Sequence, residues 1–224
     1  MLALTYAALL VNPSPLFAYS LHEAPFNVYS DRPIPDEMRD VLAAARQKLA
    51  KTPLLFPSDE FHIYVSNDRW RRRLVNPVSA AAFGASYPGL NTIHLGRSDA
   101  AADVSWADGS PRATRPLSAV LTHECVHQVV RRRLGLVRSR LLPRWIDEGY
   151  AEVIAGGATL PIDEAAAMVV EGRGDSSHGF RYATYRLAVE QALRDPAMTP
   201  SRLLSAGHDF EALLRAAAHR RTAE

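Results

Sequence analysis

Two histidines and a glutamate lie close together near the middle of the chain, in the segment His123-Glu124-Cys125-Val126-His127. Residues four apart on an α-helix share a face, so the two imidazoles can approach one zinc ion at roughly 2.0 to 2.1 Å each. Glu124 lies one step round the helix, where it is poorly placed to bind that ion but can reach a water on it. Because the metal lowers the pKa of this water, we predict that Glu124 is the general base of a hydrolytic reaction.

A helix must hold these residues, and the surrounding sequence predicts one. Thr114 is a candidate N-cap, Pro116 lies in the first turn, and Gly135 occupies the position of a C-terminal cap. On such a helix Cys125 lies about 200° from His123, so we expect the thiol to pack in the core and not to bind metal. The five-residue pattern also arises by chance, and a structural helix with a coincidental motif is one alternative.

A second motif follows the first, and it reads Trp145-Ile146-Asp147-Glu148-Gly149-Tyr150-Ala151-Glu152. Together the two motifs resemble those of the gluzincin zinc metallopeptidases, most closely the peptidase-MA-like groups. The resemblance implies a zincin-like fold, Zn²⁺ as cofactor and a peptide or protein as substrate. It also implies that Glu148 is the third zinc ligand and that Glu152, one turn later, holds His123 in the metal-binding tautomer. Two histidines and one glutamate leave the fourth position of a tetrahedral ion open for water.

The spacing of the two motifs distinguishes among the branches of the metallopeptidases that they resemble. No histidine occurs between His127 and His178, so the branch with a third histidine is absent. The twenty-residue spacer before Glu148 is longer than in the aminopeptidase branch, and no exopeptidase motif of the Gly-Ala-Met-Glu-Asn type occurs. In the resembling families a tyrosine or histidine beyond the glutamate helix donates a hydrogen bond to the oxyanion. Tyr185 is the first candidate for this role, with Tyr182 and His178 behind it.

The composition of the whole chain narrows the classes of function. With 224 residues, the chain suits a single domain with a sizeable core. The formal net charge of +2 gives no general attraction to nucleic acid, so nucleic acid is not an expected partner. A single cysteine excludes an internal disulfide and leaves the redox compartment open. The arginine-rich segment 69–73 is predicted to be a solvated face, with a nucleic-acid or anionic-lipid role as the alternative.

The first eleven residues are almost entirely apolar, and the run ends at Asn12-Pro13-Ser14-Pro15. It is shorter than the roughly twenty residues that span a bilayer, and no Lys or Arg precedes it as in a signal peptide. We expect residues 1–18 to be the remnant of an export signal or anchor, which predicts membrane attachment and an extracytoplasmic or membrane-anchored location. A packed N-terminal segment in a cytoplasmic protein is the alternative. Residues 19–224 are predicted to form one zincin-like metallopeptidase domain.

The segments around the two motifs predict an α+β fold. Apolar patterning predicts strands at 26–30, 61–66 and 91–95, and a helix with one apolar face at 35–51. The polar segment 99–115 is expected to be a connection, and short helices are expected after residue 157. We therefore predict a small sheet of about three strands beside the metal-binding helix, followed by a mostly helical C-terminal half, with zinc in the cleft between.

Motifs and architecture together predict a zinc-dependent peptide-bond hydrolase, and in particular an endopeptidase, with Glu124 as general base. The alternative is a non-catalytic zinc-binding interaction module on the same fold, in which the same ligands hold helices together. Closed tetrahedral coordination without a water on the metal would favour that module.

Overall fold

The computed structural model of the protein describes residues 2–108, 110–205 and 207–223. Over these ranges the chain forms nine α-helices and eight β-strands. The helices are α1 (Leu2–Val11), α2 (Met38–Leu49), α3 (Arg69–Val75), α4 (Leu117–Leu141), α5 (Arg144–Ala155), α6 (Ile162–Val170), α7 (His178–Ala192), α8 (Pro200–Leu203) and α9 (Phe210–Ala223). The strands are β1 (Tyr19–Glu23), β2 (Phe26–Ser30), β3 (Phe61–Val65), β4 (Gly84–Ser86), β5 (Thr92–Leu95), β6 (Ser98–Asp99), β7 (Val104–Ala107) and β8 (Ser110–Pro116). The fold is α+β with a mostly helical C-terminal half, as predicted.

The larger sheet contains the three predicted strands and two edge strands besides. Its order is β1-β2-β3-β5-β4, in which β2, β3 and β5 are parallel and the edges β1 and β4 are antiparallel to their neighbours. The central strands bury Phe26, Ile63 and Ile93, as their apolar patterns predict. About three strands was too low a prediction, because the two short edge strands lack a buried alternating pattern.

Two helices pack on this sheet and form the main core with it. α2 buries the apolar stripe predicted for it, which consists of Met38, Val41, Leu42, Ala45 and Leu49. α4 lies against α2, β4 and β5, and α5 covers another of its faces. Residues 117–130 of α4 are consequently all buried. The helix that carries the first motif is therefore an interior element.

A second sheet, of order β6-β7-β8, occupies the segment that was predicted to be a connection. The turn before β7 presents Asp103, a residue with positive φ of 48°. Its carboxylate accepts hydrogen bonds from the backbone N–H and the hydroxyl of Ser118 at 2.7 and 2.8 Å, and its carbonyl accepts one from the Leu117 N–H. The start of α4 is thus capped by a distant aspartate. The prediction of Thr114 as N-cap was wrong, because Thr114 lies within β8.

The long helix α4 is interrupted where the sequence predicts its end. Gly135 adopts φ 75° and ψ 165°, a left-handed φ that favours glycine, and a short second helical segment then runs on to Leu141. This segment exposes Leu136, Val137 and Leu141 to solvent. The regular helix that holds the first motif therefore ends before Gly135, as predicted.

The C-terminal helices form a second core, and one glycine sets how closely two of them approach. α7 packs against both α5 and α9, and α6 packs against α9. A Cβ added at Gly149 of α5 would lie 2.5 Å from the backbone oxygen of Tyr185 in α7. Because no side chain fits there, glycine allows α7 to lie directly on the helix that carries Glu148.

The apolar N-terminal run forms α1 beside the basic helix α3. The Tyr6 hydroxyl donates a hydrogen bond of 2.9 Å to the carbonyl of Leu74. Val11, at the end of α1, is exposed. Over the described residues, no helix combines the length and the apolar character that crossing a membrane requires.

Candidate metal centre

Three side chains from two helices converge on one point between α4 and α5. The Nε2 atoms of His123 and His127 are 3.0 Å apart, and Oε2 of Glu148 lies 3.2 and 3.4 Å from them, respectively. Ligands at roughly 2.0 to 2.1 Å from a tetrahedral ion are separated from one another by about 3.3 Å. The triangle of ligand atoms therefore has the size that one such ion requires, and the cluster could hold a metal.

The contacts of the two Nδ1 atoms determine whether the Nε2 atoms carry a proton or a free lone pair. Nδ1 of His127 lies 3.1 Å from Oδ1 of Asp147, and Nδ1 of His123 lies 2.9 Å from Oε1 of Glu152, although this second contact is not aligned as a hydrogen bond. A carboxylate accepts and does not donate, so neutral imidazoles in this setting carry their protons on Nδ1. Both Nε2 atoms then present lone pairs beside the Glu148 carboxylate. Three electron-pair donors of this kind suit a cation.

The partner of His123 belongs to a buried ion pair. Both oxygens of Glu152 accept hydrogen bonds from Nη2 of Arg115, at 2.9 and 3.0 Å, and the Glu152 side chain is only 1% exposed. Burial alone would raise the pKa of Glu152, but His123 and Arg115 outweigh it and lower the pKa. Arg115 lies in β8, inside the segment that was predicted to be a connection, and neither motif points to it. The carboxylate behind His123 is therefore both charged and fixed in place.

The partner of His127 is more accessible. The Asp147 side chain is 24% exposed, and the pKa of its carboxyl is lowered because His127 outweighs the opposing effect of burial. Burial favours neutral imidazoles, yet the neighbouring carboxylates raise the pKa of both His123 and His127. Those imidazoles in turn lower the pKa of Glu148 against the effect of its burial. The imidazoles and the carboxylates therefore stabilise each other's charged forms.

Glu124 is buried beside the edge of the larger sheet. A Cβ added at Gly84 in β4 would lie 3.1 Å from Cγ of Glu124, so this edge strand runs directly against the glutamate. Glu124 is not one of the three grouped ligands over the described residues. It lies on the same helix one step from His123, in the position that the motif gives it.

The three candidates for the oxyanion donor take different places on α7. The Tyr182 ring stacks on His123 with centroids 6.1 Å apart, and on His178 at 3.9 Å. Burial and the nearby Glu148 carboxylate raise the pKa of Tyr182. Tyr185, the first candidate from the sequence, packs its ring edge-on against Phe210 of α9 at 5.7 Å. The structure therefore brings Tyr182 to the side of the imidazole, and His178, the other lesser candidate, stacks on Tyr182.

Cys125 points away from the ligand atoms, as helical spacing predicts. The thiol is fully buried in the main core, and burial raises its pKa well above the usual value. It is therefore a small core residue.

In comparisons with known proteins, no protein-family model matches the chain, and no curated protein matches it. The feature that indicates a chemistry is the cluster of two histidines and one glutamate between two helices of an α+β fold.

Proposed function

We propose that the protein is a zinc-dependent peptidase of the gluzincin type on a zincin-like fold. The proposal is carried by one observation, the set of ligand atoms on His123, His127 and Glu148 at 3.0 to 3.4 Å from one another. Two nitrogens and one carboxylate oxygen at this spacing suit zinc with an open fourth position, as catalytic zinc sites have. A carboxylate behind each imidazole is a further feature of such sites.

Within this proposal each residue has a defined task. His123, His127 and Glu148 would hold the zinc, which would supply Lewis acidity and lower the pKa of an attacking water. Glu124 takes the proton of that water and returns it to the leaving amine. Tyr182 donates a hydrogen bond to the oxygen on which negative charge develops, since its ring lies against His123. Glu152 and Asp147 keep the imidazoles in the tautomer that exposes Nε2.

The position of β4 at the edge of the larger sheet favours a peptide as the class of substrate. It is the last strand of the larger sheet, so one of its edges has no strand partner over the described residues. β4 also runs beside Glu124, since a Cβ added at Gly84 would lie 3.1 Å from Cγ of Glu124. An extended peptide can pair with a free strand edge through main-chain hydrogen bonds. Such pairing would bring one of its carbonyl groups past the general base.

The test is Glu124→Gln, compared with wild type for bound zinc and for cleavage of a mixed peptide library. We expect one zinc per chain in both proteins, unchanged thermal unfolding, and loss of cleavage by about a thousandfold or more, because the glutamine cannot accept the proton. Glu164→Gln, at an exposed position of α6, is the matched control and should cleave as wild type does.

Two results would contradict the peptidase. Normal cleavage by Glu124→Gln would remove Glu124 from its role. Stoichiometric zinc without cleavage by the wild-type chain, together with closed coordination in an X-ray absorption spectrum, would favour the interaction module.

A further inference from the structure

A cavity of about 290 Å³ opens beside the last turns of the regular part of α4, beyond the metal ligands. Its polar wall comes from Gln128, Arg131 and Arg132 of α4 and from Asn91, and Leu90 and Leu136 form the apolar part. This volume is at the small end for ligand pockets, so it suits a single end group and not a large cofactor.

Among the wall residues of α4, Arg131 points closest to the candidate centre. Arg131 follows His127 by four residues and Glu124 by seven, and at about 100° per residue it points between these two directions. Its Nη1 donates hydrogen bonds to the carbonyl and the hydroxyl of Ser86, at 2.8 and 2.9 Å. Ser86 ends β4, the strand that passes Glu124. A chain that followed β4 past the general base would therefore reach Arg131.

Two donors in the wall are incompletely used. Over the described residues, the Arg131 guanidinium donates only through Nη1, which leaves Nε and Nη2 available. Nε2 of Gln128 is buried and has no hydrogen-bond partner there, while its Oε1 accepts from Arg132. The last torsion of a glutamine is soft, so a small rotation turns this amide toward a ligand. A buried donor without a partner is costly, and a ligand that accepts the bond would remove that cost.

The charges around the cavity indicate which kind of ligand group would accept hydrogen bonds there. Arg132 is paired with Asp59 at 2.7 Å and donates to the carbonyl of Glu60, so its charge is largely compensated. Over the described residues Arg131 has no such ion pair; Asp147 and the carboxylates of the centre balance it only at longer range. The cavity therefore offers a guanidinium fork to an anion, for which a carboxylate has the matching planar shape.

We propose that this cavity binds a carboxylate of the peptide substrate, with Arg131 as the main contact and Gln128 as the second donor. The inference rests on the proposed peptidase function, because that function supplies the peptide. Arg131 is about 6 Å from His127 along the helix axis, which an extended peptide covers in about two residues. The carboxylate is therefore about two residues from the bond that is cleaved. A free C-terminus and an Asp or Glu side chain share this chemistry.

Matched peptides distinguish these sources when their binding to zinc-loaded Glu124→Gln is measured by fluorescence anisotropy. One pair differs in a C-terminal carboxylate or amide, and a second, amidated pair differs in an internal Glu or Gln. We expect the carboxylate peptide of at least one pair to bind about 10- to 100-fold more tightly. The pair that shows the difference identifies the source.

Adding Arg131→Gln should abolish this preference, and adding the control Arg138→Gln, at an exposed position past Gly135, should retain it. Circular dichroism and zinc content verify the fold of each variant. If Arg131→Gln does not fold, Gln128→Leu replaces it and should reduce the preference several-fold. Equal binding within both pairs would overturn the inference, and so would a preference that survives Arg131→Gln.

Cleavage of the same peptides by the wild-type chain separates the two proposals. Cleavage without any carboxylate preference would refute the cavity assignment alone. Carboxylate-dependent binding without cleavage would refute the peptidase and leave the cavity assignment standing.

Discussion

The two histidines of the candidate centre have unlike surroundings. His123 is backed by Glu152, which is 1% exposed and held by both of its oxygens on Arg115. His127 is backed by Asp147, which is 24% exposed. The difference teaches that one side of the centre is fixed by a buried ion pair and the other by a contact near solvent. We call His123 with Glu152 the inner side and His127 with Asp147 the outer side. The inner side should therefore contribute more to metal binding than the outer side.

Glu152→Gln should have the largest effect, because it removes the partner of His123 and leaves the Arg115 charge buried and unpaired. We expect zinc affinity to fall by about 100-fold, since Glu152 no longer orients the His123 imidazole. The free energy of unfolding should fall by about 3 to 5 kcal/mol. Chelator competition measures the first change and urea unfolding the second.

The double variant Arg115→Met with Glu152→Gln separates these two effects. It removes the unpaired charge, so stability should recover while zinc affinity stays low. If Glu152→Gln were as stable as wild type, the ion pair would not be the support described here.

Tyr182→Phe tests the proposed oxyanion donor, whose ring stacks on His123 of the inner side. We expect kcat to fall by about 100-fold with zinc affinity and KM unchanged, because an oxyanion donor acts only in the transition state. Tyr185→Phe, one turn later on α7, is the matched control and should change kcat by less than about twofold. The reverse result would return the role to Tyr185, the first candidate from the sequence.

Asp147→Asn should be milder on the outer side. We expect zinc affinity to fall by about tenfold, the lower end for an outer carboxylate, since water can replace part of a contact near solvent. Stability should change by less than about 1 kcal/mol, because the Asp147 carboxylate is partly exposed and solvent screens its contact with His127. Chelator competition and urea unfolding again give the numbers. A loss equal to that of Glu152→Gln would remove the contrast between the two sides.

The pH dependence of the metal-free protein gives the smallest effect. Despite burial, the carboxylates raise the pKa of His127 above 6.5, and the imidazoles lower that of Glu148 below 4.5. The contribution of His127 to the free energy of unfolding is fully present below about pH 6.5 and is lost as the pH rises through the pKa of the folded state. The contribution of Glu148 is present above about pH 4.5 and is lost as the pH falls through its pKa in the folded state. The metal-free chain should thus gain about 1 kcal/mol between about pH 8 and 6.

Zinc binding should change in the opposite direction over that range, because protons compete with zinc for the imidazoles. Urea unfolding with and without chelator measures both trends. His219→Asn, which replaces an exposed histidine of α9, should leave the trends unchanged. Parallel pH trends with and without zinc would exclude the three side chains as its ligands.

The sequence predicts those features that depend on local spacing. Helical periodicity is enough to place His123 and His127 on one face and Cys125 in the core. The convergence of Glu148 on them was implied by the resemblance of the second motif, and the structure brings its carboxylate to the imidazoles. The central strands were predictable because each buries a short apolar run.

Other features depend on contacts between distant segments, and sequence patterns do not carry these. Arg115 lies in a polar strand with no motif, and its importance comes only from meeting Glu152, 37 residues later. Tyr182 and Tyr185 differ only in which side of α7 faces the centre. That rotation is fixed where the backbone at Tyr185 meets Gly149 of α5. No local pattern could rank the two tyrosines.

The cap that Asp103 forms on α4 also bears on the order of folding. Asp103 and Ser118 are 15 residues apart, whereas Phe26 and Phe61, which pair in β2 and β3, are 35 residues apart, so the shorter loop costs about 0.7 kcal/mol less chain entropy to close. Contacts between near neighbours in sequence form early in folding. We infer that the small sheet and the first turn of α4 can nucleate together, before β2 and β3 are joined. The helix that carries the two histidines would then be a template for the rest of the chain.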